Sequence, residues 1–221
     1  MIRANQLKHF DKQPFKKLIK DINDIAPKIE LGEIHSDEDD VTHIRDSNIS
    51  WILPPGFVSK DSEDYNAEAE EKKEPIFQLI SELASVCNFT NPDIPDQPGW
   101  EFELETVEPL QYTVYDGEKK QHYDWHFDHY SNTEGALEKD VRKISFSIML
   151  NRPGVDFEGG DLEFEISGPH AEERNVTHHL KYADAIFFPS YVWHRVKPVT
   201  SGIRKSLVGW VRGPQLSLIH I

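Results

Sequence analysis

Cysteine is nearly absent from the chain, since Cys87 is the only one among 221 residues. A single thiol cannot form a disulfide within the chain, so nothing here calls for an oxidising compartment. Long apolar runs are also missing. No stretch approaches the roughly 20 apolar residues of a membrane helix, and residues 1–10 are polar. We therefore expect a cytoplasmic protein that makes no contact with a membrane.

The chain also has few basic residues. It contains 24 Lys and Arg residues but 39 Asp and Glu residues, which gives a formal net charge of -15. A surface of this sign repels phosphate backbones, so we expect no nucleic-acid partner. It suits a basic peptide or a basic small molecule as substrate, although acidity can also serve solubility alone.

The rest of the composition is that of an ordinary globular chain, with 38% hydrophobic and 29% charged residues. Apolar residues at spacings of three and four predict helices over 14–22 and 74–86, the second with Pro75 near its start. A short strand is expected at 49–52, within a polar and turn-rich stretch. After Trp100, alternating polar and apolar residues predict strands. These are 101–106, 110–115, 122–128, 143–151, 161–166, 178–181, 185–189, 194–198 and 205–211.

Helices followed by many short strands predict an α+β fold, in which N-terminal helices pack on one face of a β-barrel or sandwich. The chain length supplies one sizeable core. We expect residues 1–99 to form a helical extension with loops, residues 100–213 to form the β core, and residues 214–221 to be a tail. His220 in that tail fits no strand and is not a ligand candidate.

A possible metal site begins with His126 and Asp128. Residues two apart on a strand point to the same face, so this pair can offer one imidazole and one carboxylate to a single ion. His194, on a distant strand, would complete a two-histidine, one-carboxylate triad. Such a triad leaves coordination positions open and is typical of non-haem Fe(II) oxygenases.

Two other His-x-Asp pairs compete with this one. His35 and Asp37 lie in an acidic run without strand alternation, which favours a solvated loop. His122 and Asp124 share the parity of His126 and Asp128, so parity does not decide between the pairs. Two features favour His126 and Asp128 as the ligands. Tyr123 and Trp125 would flank this pair on the packing face, and its spacing from the upstream block at 115–117 suits it better. His122 and Asp124 then become hydrogen-bonding neighbours of the ligands.

Arg204 follows His194 beyond the turn at 200–202, near the start of the next strand. A guanidinium pairs bidentately with a carboxylate, so Arg204 could hold the far end of a keto acid that chelates the metal. Ser206 shares its parity and could add a hydrogen bond. The alternative is that Arg204 makes an ordinary ion pair at the rim of the barrel.

Over residues 100–213 the chain resembles the iron(II)- and 2-oxoglutarate-dependent oxygenases, and most of all their prolyl 4-hydroxylase branch. Ligand order, strand context and the position of Arg204 agree with one another. The blocks that carry the resemblance are Tyr115-Asp116-Gly117, Tyr123, His126-Phe127-Asp128, Arg142, Leu150-Asn151, Glu158-Gly159-Gly160-Asp161-Leu162, Asp184-Ala185-Ile186-Phe187-Phe188-Pro189, His194-Arg195-Val196-Lys197-Pro198-Val199, Gly202, Arg204 and Trp210. One departure is Ala183, where the family usually has glycine; another is a slightly longer stretch between Gly117 and Tyr123.

The resemblance implies a double-stranded β-helix of the jelly-roll or cupin type. It implies Fe(II) held by His126, Asp128 and His194, with Arg204 on the distal carboxylate of the co-substrate 2-oxoglutarate. Tyr115 is implied as a further contact to the co-substrate, and ascorbate as an optional accessory.

The implied activity is hydroxylation of a C–H bond, foremost in a peptidyl proline, with release of succinate and carbon dioxide. Three alternatives stay open: hydroxylation of a free amino acid or other small molecule, a metal-dependent isomerase, and a ligand-binding barrel. The long polar loop 130–140 is a candidate lid over the substrate.

Overall fold

The computed structural model describes residues 8–10, 13–26, 32–33, 45–90, 98–129, 140–167 and 174–215. Within them the helices are α1 (Gln13–Lys16), α2 (Ile19–Ile25) and α3 (Ala67–Phe89). The strands are β1 (Lys8–Phe10), β2 (Gly32–Glu33), β3 (Arg45–Asp46), β4 (Asn48–Ile52), β5 (Thr106–Val107), β6 (Leu110–Asp116), β7 (His122–His126), β8 (Asp140–Met149), β9 (Phe157–Gly159), β10 (Leu162–Glu165), β11 (Asn175–His178), β12 (Ala185–Pro189), β13 (His194–Val196) and β14 (Val199–Pro214). Residues 130–139 of the predicted lid at 130–140, the competing pair at 35–37 and the tail beyond 215 lie outside the described residues, while Asp140 begins β8.

Two antiparallel sheets build the β unit. The larger sheet runs β1-β12-β8-β14-β6-β4-β2, with β5 and β9 paired to β14, and the smaller runs β11-β10-β13-β7-β3. The segment before residue 100 therefore adds strands to both sheets, as well as supplying the helices. Among the described residues, no helix has both the length and the apolar character needed to cross a membrane.

Two cores hold these layers together. One lies between the helices and the outer face of the large sheet, and it includes Ile22, Ile76 and Ile80 against Tyr112 and Ile148. The other lies between the sheets, where Tyr115 and Phe188 meet Phe164 and Val196. This arrangement confirms the predicted α+β class with helices packed on one face.

Helix α3 is longer at both ends than the predicted 74–86. It begins after Asn66, whose side-chain carbonyl accepts a hydrogen bond from the backbone N–H of Ala69 at 3.0 Å, as an N-cap does. Pro75 consequently lies inside the helix, at an exposed position where the carbonyl that loses its partner can bond to water. The single helix predicted at 14–22 is instead α1 followed by α2, with a turn at Lys17 and Leu18.

The strand predicted at 101–106 is wrong for most of its length, because only β5 at its end is a strand. The buried side chain of Asn88 takes the place of a neighbouring strand here. It donates to the carbonyl of Phe102 and accepts from the N–H of Phe102, each at 2.7 Å. Glu101 has a positive φ of 56°, which also interrupts an extended backbone.

The strand boundaries differ elsewhere as well. The strand predicted at 178–181 lies earlier, at β11, while the last strand is much longer than 205–211, because β14 pairs along its length with β9, β6, β8 and β5. The predicted strand 122–128 ends at His126. Ala183, in the turn before β12, has φ 68°, a left-handed conformation that glycine adopts more readily.

Candidate metal centre

The two candidate histidine ligands face one another across neighbouring strands of the small sheet. His126 on β7 and His194 on β13 are paired residues, and their ring centroids are 4.1 Å apart. Asp128 follows the end of β7, where its backbone N–H donates to the carbonyl of Ser190 at 2.8 Å. This bond, rather than strand geometry, sets the position of Asp128.

The three side chains converge on one point. Asp128 Oδ1 is 3.7 Å from Nε2 of His126, and its Oδ2 is 3.5 Å from Nε2 of His194. One ligand atom from each residue lies within 4.8 Å of the others, and this is the only such group of three among the residues that the structure describes. Two imidazoles and one carboxylate form the donor set that non-haem Fe(II) oxygenases use.

Each histidine is fixed in the tautomer that metal binding requires. His126 Nδ1 lies 2.7 Å from the carbonyl of Asp124, and His194 Nδ1 lies 2.9 Å from the carbonyl of Val192. A carbonyl only accepts, so each Nδ1 carries the hydrogen and each Nε2 presents its lone pair. Burial, followed by the proximity of His194, lowers the pKa of His126 to about 3, so this imidazole is neutral at physiological pH.

A hydroxyl pair supports the carboxylate. Ser145 Oγ donates to Asp128 Oδ2 at 2.8 Å and is 2.9 Å from Ser190 Oγ, which can donate to it in turn. Burial opposes ionisation of Asp128. The neighbouring His194 and His126, together with the side chains of Trp210 and Ser145, outweigh that opposition, and the pKa of Asp128 lies below its usual value.

A β-bulge removes the competing pair from the site. His194 pairs with His126, but Val196 pairs with Tyr123, so β7 has one residue more than β13 over this span. Tyr123 consequently faces inward with His126, and their rings stack at 3.5 Å, which corrects the assignment of Tyr123 to the opposite packing face. The Asp124 side chain is 51% exposed and approaches Arg195 at 4.0 Å. His122 and Asp124 are absent from the cluster, although the Asp124 backbone carbonyl does bond to a ligand.

Arg204 comes from the opposite sheet and faces the same cavity as the triad. It is only 1% exposed. Its Nη1 donates to Ser206 Oγ at 2.9 Å, whereas Nε and Nη2 are buried without a hydrogen-bond partner in the described structure. Burial lowers the pKa of Arg204. The rim ion pair considered from the sequence is therefore not what Arg204 makes, and an anion is needed to complete its surroundings.

Tyr115 lies directly opposite Arg204 in the β6–β14 pair, with its ring centroid 5.3 Å from the guanidinium carbon. Gly160 makes room for the arginine. A Cβ at Gly160 would lie 2.6 Å from Cδ of Arg204, and its φ of +68° also favours glycine. Tyr115, Ser206 and Arg204 thus lie together on the large sheet, as expected from the sequence.

The cavity between the sheets lies beside both the triad and Arg204. Its lining includes residues that sequence reasoning did not select, namely Arg45, Gln111, Ser147 and Val208. Ser145, behind Asp128, was also not selected. These residues belong to no sequence motif. The alternation of side chains along a strand is the one signal that could have placed them on an inward face.

A jelly-roll scaffold and a donor set of two histidines and one carboxylate are together typical of non-haem Fe(II) oxygenases. Residues 110–212 match the family model of the 2OG-Fe(II) oxygenase superfamily.

Curated relatives match part of the chain. A PKHD-type hydroxylase of Idiomarina loihiensis is 37% identical over 83 residues, which are 37% of this chain and 35% of that protein. Another PKHD-type hydroxylase, from Colwellia psychrerythraea, is 41% identical over 76 residues, or 34% of this chain and 31% of that protein. The match therefore spans about a third of the length of these relatives.

Solved structures resemble nearly the whole chain. A Pseudomonas putida prolyl-4-hydroxylase superposes with a TM-score of 0.63 at 19% identity, covering 95% of this chain and 93% of that one. A Trichoplax adhaerens prolyl hydroxylase, solved with a peptide fragment of the hypoxia inducible factor oxygen degradation domain, gives a TM-score of 0.62 at 17% identity, covering 94% and 84%. At such identities the likeness shows the fold, and it confirms the double-stranded β-helix.

Fe(II) and 2-oxoglutarate are the cofactor and co-substrate of this family. The residues present fit both. Two Nε2 lone pairs and a carboxylate suit the metal, and the unpartnered Nε and Nη2 of Arg204 suit the distal carboxylate of the keto acid.

Proposed function

We propose that this chain is an Fe(II)- and 2-oxoglutarate-dependent dioxygenase that hydroxylates a C–H bond, foremost in a prolyl residue of a peptide, and releases succinate and carbon dioxide. His126, Asp128 and His194 hold the metal. Arg204, with Ser206 and Tyr115 beside it, binds the distal carboxylate of 2-oxoglutarate.

The observation that carries this proposal is the buried guanidinium of Arg204, whose Nε and Nη2 have no hydrogen-bond partner in the described structure, in the cavity that the triad also lines. A buried cation without a counter-ion is costly to a fold, by several kcal/mol in the usual case. A buried arginine at position 204 is explained if an anion binds to its guanidinium during turnover. A metal-binding barrel without an anionic ligand gives no reason for such an arginine, whereas an oxygenase with a dicarboxylate co-substrate requires a cation there.

The residues of the chain have separable tasks. The Nδ1–H bonds to the carbonyls of Asp124 and Val192 keep both Nε2 atoms directed at one point, and Ser145 keeps the carboxylate of Asp128 in place. Aromatic and aliphatic walls exclude water, notably Phe188 and Leu162. When bound, Fe(II) with 2-oxoglutarate activates dioxygen for insertion of oxygen into a C–H bond.

Support for a prolyl substrate comes from the folds that resemble this chain, which include prolyl hydroxylases of bacterial and animal origin. The Trichoplax adhaerens structure contains a peptide. A peptide or small-molecule substrate fits a cavity that opens between the two sheets. The net charge of -15 favours a peptide with basic residues outside the reacting segment.

The test is succinate formation from 2-oxoglutarate by the protein with Fe(II) and air, with and without ascorbate, alone and with a panel of prolyl peptides. We expect slow succinate release without peptide and at least tenfold stimulation by an accepted substrate, which gains 16 Da by mass spectrometry. His126→Ala should abolish both activities, whereas Arg195→Gln, on the outer face of β13, should retain them. A protein that binds Fe(II) but makes no succinate under any of these conditions would overturn the proposal.

A further inference from the structure

Arg45 is a second arginine of the active-site cavity, and it comes from a part of the chain outside the matched segment 110–212. It lies on β3, which pairs with β7 so that Arg45 is the partner of Tyr123. Its guanidinium carbon is 4.8 Å from the Tyr123 ring centroid, and that ring in turn stacks on His126. The N-terminal segment thus places the guanidinium of Arg45 beside Tyr123, which contacts the metal ligand His126.

Within the described part of the chain, the bonds of Arg45 are all to neutral groups. Its Nε donates to Ser47 Oγ at 2.9 Å, and its Nη2 donates to Gln111 Oε1 at 3.1 Å. Tyr123 adds a cation–π contact. These partners orient the half-buried guanidinium without neutralising its charge.

Arginines elsewhere in the described chain are paired differently. Each one other than Arg45 and Arg204 has a carboxylate within 4.0 Å: Arg142, Arg152, Arg174, Arg195 and Arg212. In a chain with a net charge of -15, acidic partners are abundant. Yet the two described arginines that lack a carboxylate partner line one cavity, and the only acidic side chain in that lining is the metal ligand Asp128.

Two arginines that have no carboxylate within 4.0 Å among the described residues can each bind a carboxylate of a ligand. One is the distal carboxylate of 2-oxoglutarate at Arg204, as argued above. We propose that Arg45 binds a second carboxylate, which belongs to the substrate, so that the substrate is an acid with its carboxylate close to the carbon that is hydroxylated.

This inference rests on the proposed function and narrows its substrate class. A free amino acid, a peptide that ends at the modified residue, or a peptide with an acidic residue beside the target would satisfy it. An uncharged internal segment would leave Arg45 without an anion in a cavity that the substrate closes to water, which is unfavourable.

The experiment compares acids with their uncharged counterparts. The probes are the free L-amino acids and Gly-Pro, each as the acid and as the primary amide, together with the blocked dipeptides acetyl-Asp-Pro-amide and acetyl-Asn-Pro-amide. Stimulation of succinate release is measured for the wild type, Arg45→Gln and the matched control Arg195→Gln. Arg195 makes a cation–π contact of the same 4.8 Å with Trp125, but it lies outside the cavity.

We expect at least one acid to exceed its uncharged counterpart by about 30-fold or more in kcat/KM, the range for losing one partner of a desolvated charge pair. Arg45→Gln should remove that preference, while Arg195→Gln should keep it. The acid and its uncharged counterpart are also titrated by calorimetry into protein that holds Mn(II) and 2-oxoglutarate, where no turnover occurs. The acid should again bind more tightly than its counterpart. Uncoupled succinate release needs no substrate and is measured in the wild type, where its absence would contradict the proposed function instead.

Three results would overturn the assignment of Arg45. They are equal stimulation by acids and amides, an acid preference that persists in Arg45→Gln, and stimulation by none of the acids in a wild type that releases succinate uncoupled.

Discussion

Arg204 and Tyr115 are direct cross-strand partners, and the guanidinium carbon of Arg204 lies 5.3 Å from the Tyr115 ring centroid. The ring covers one side of a cation whose Nε and Nη2 have no hydrogen-bond partner among the described residues. Tyr115 and Ser206 therefore hold Arg204 in place but leave part of its hydrogen-bonding capacity unused. This combination of burial and incomplete pairing is expected of a binding residue, and it leads to an unusual prediction about stability.

Replacing Arg204 by methionine should stabilise the ligand-free protein and weaken co-substrate binding. The substitution removes an uncompensated buried charge and keeps an apolar side chain of similar length, for an expected gain of about 1–3 kcal/mol in the free energy of unfolding. The KM for 2-oxoglutarate should rise at least about 100-fold. Urea unfolding and succinate kinetics measure the two effects.

Arg142→Met is the matched control for that experiment. Arg142 is paired with Glu108 by two hydrogen bonds, so its loss leaves this carboxylate with the longer 3.5 Å contact from Arg212 and should destabilise the protein. If Arg204→Met lowered stability as much as Arg142→Met does, Arg204 would be a structural residue of the barrel.

Ser145→Ala should weaken metal binding without removing a ligand. The hydroxyl of Ser145 is the described side-chain donor to Asp128 Oδ2, and outer partners of this kind typically contribute 10–100-fold in metal affinity. The dissociation constant for Fe(II) or Mn(II), measured anaerobically by competition with a chelator, should rise by about that factor.

Ser147→Ala provides the comparison on the same strand. Ser147 also lies on β8 and lines the cavity, but its hydroxyl has no hydrogen-bond partner in the described structure. Metal affinity in this variant should stay within about twofold of the wild type. Equal losses in the two serine variants would mean that the hydrogen bond to Asp128 does not orient the ligand.

Gly160→Ala should impair the co-substrate site through a steric effect on Arg204. The added Cβ would come within 2.6 Å of Arg204 Cδ and 2.9 Å of Val199 Cγ2, in addition to the strain of a positive φ. We expect a loss of about 2–4 kcal/mol in unfolding free energy and a raised KM for 2-oxoglutarate.

Gly154→Ala separates backbone strain from crowding. Gly154 has a similar φ of +75°, but a Cβ there would have no heavy atom within 4 Å. Its cost should be about 1 kcal/mol, with an unchanged KM. A KM effect of equal size at both glycines would refute the role of Gly160 in accommodating Arg204.

Asn substitutions at the two aspartates distinguish the competing His-x-Asp pairs. Asp128→Asn should reduce Fe(II) affinity at least tenfold, because the metal loses its anionic ligand. Asp124→Asn should leave the affinity nearly unchanged, since Asp124 contributes its backbone carbonyl to His126 while its side chain is exposed. Undiminished iron binding by Asp128→Asn, measured by the same chelator competition, would move the site to His122 and Asp124.

The periodicity of apolar residues predicted most of the strands, but it predicted one wrongly where a side chain, rather than a neighbouring strand, bonds to the backbone. The alternation at 110–115 and 185–189 corresponds to β6 and β12. The alternation at 101–105 looks the same in sequence, yet that segment is held by Asn88. No local pattern reveals that a buried amide fourteen residues upstream will pair with a backbone.

His126, Asp128, His194, Arg204, Tyr115 and Ser206 were selected from the sequence by residue type, spacing and family resemblance. Those criteria depend on short-range geometry and on chemistry that few side chains offer, so they need no knowledge of the packing. Whether His122 and Asp124 shared the site was decided only by the β-bulge in β7, which changes the face on which each residue lies. Ser145 and Arg45 were likewise found only in the tertiary structure. Both are far from the ligands along the chain, and they come close to them only because whole strands pair.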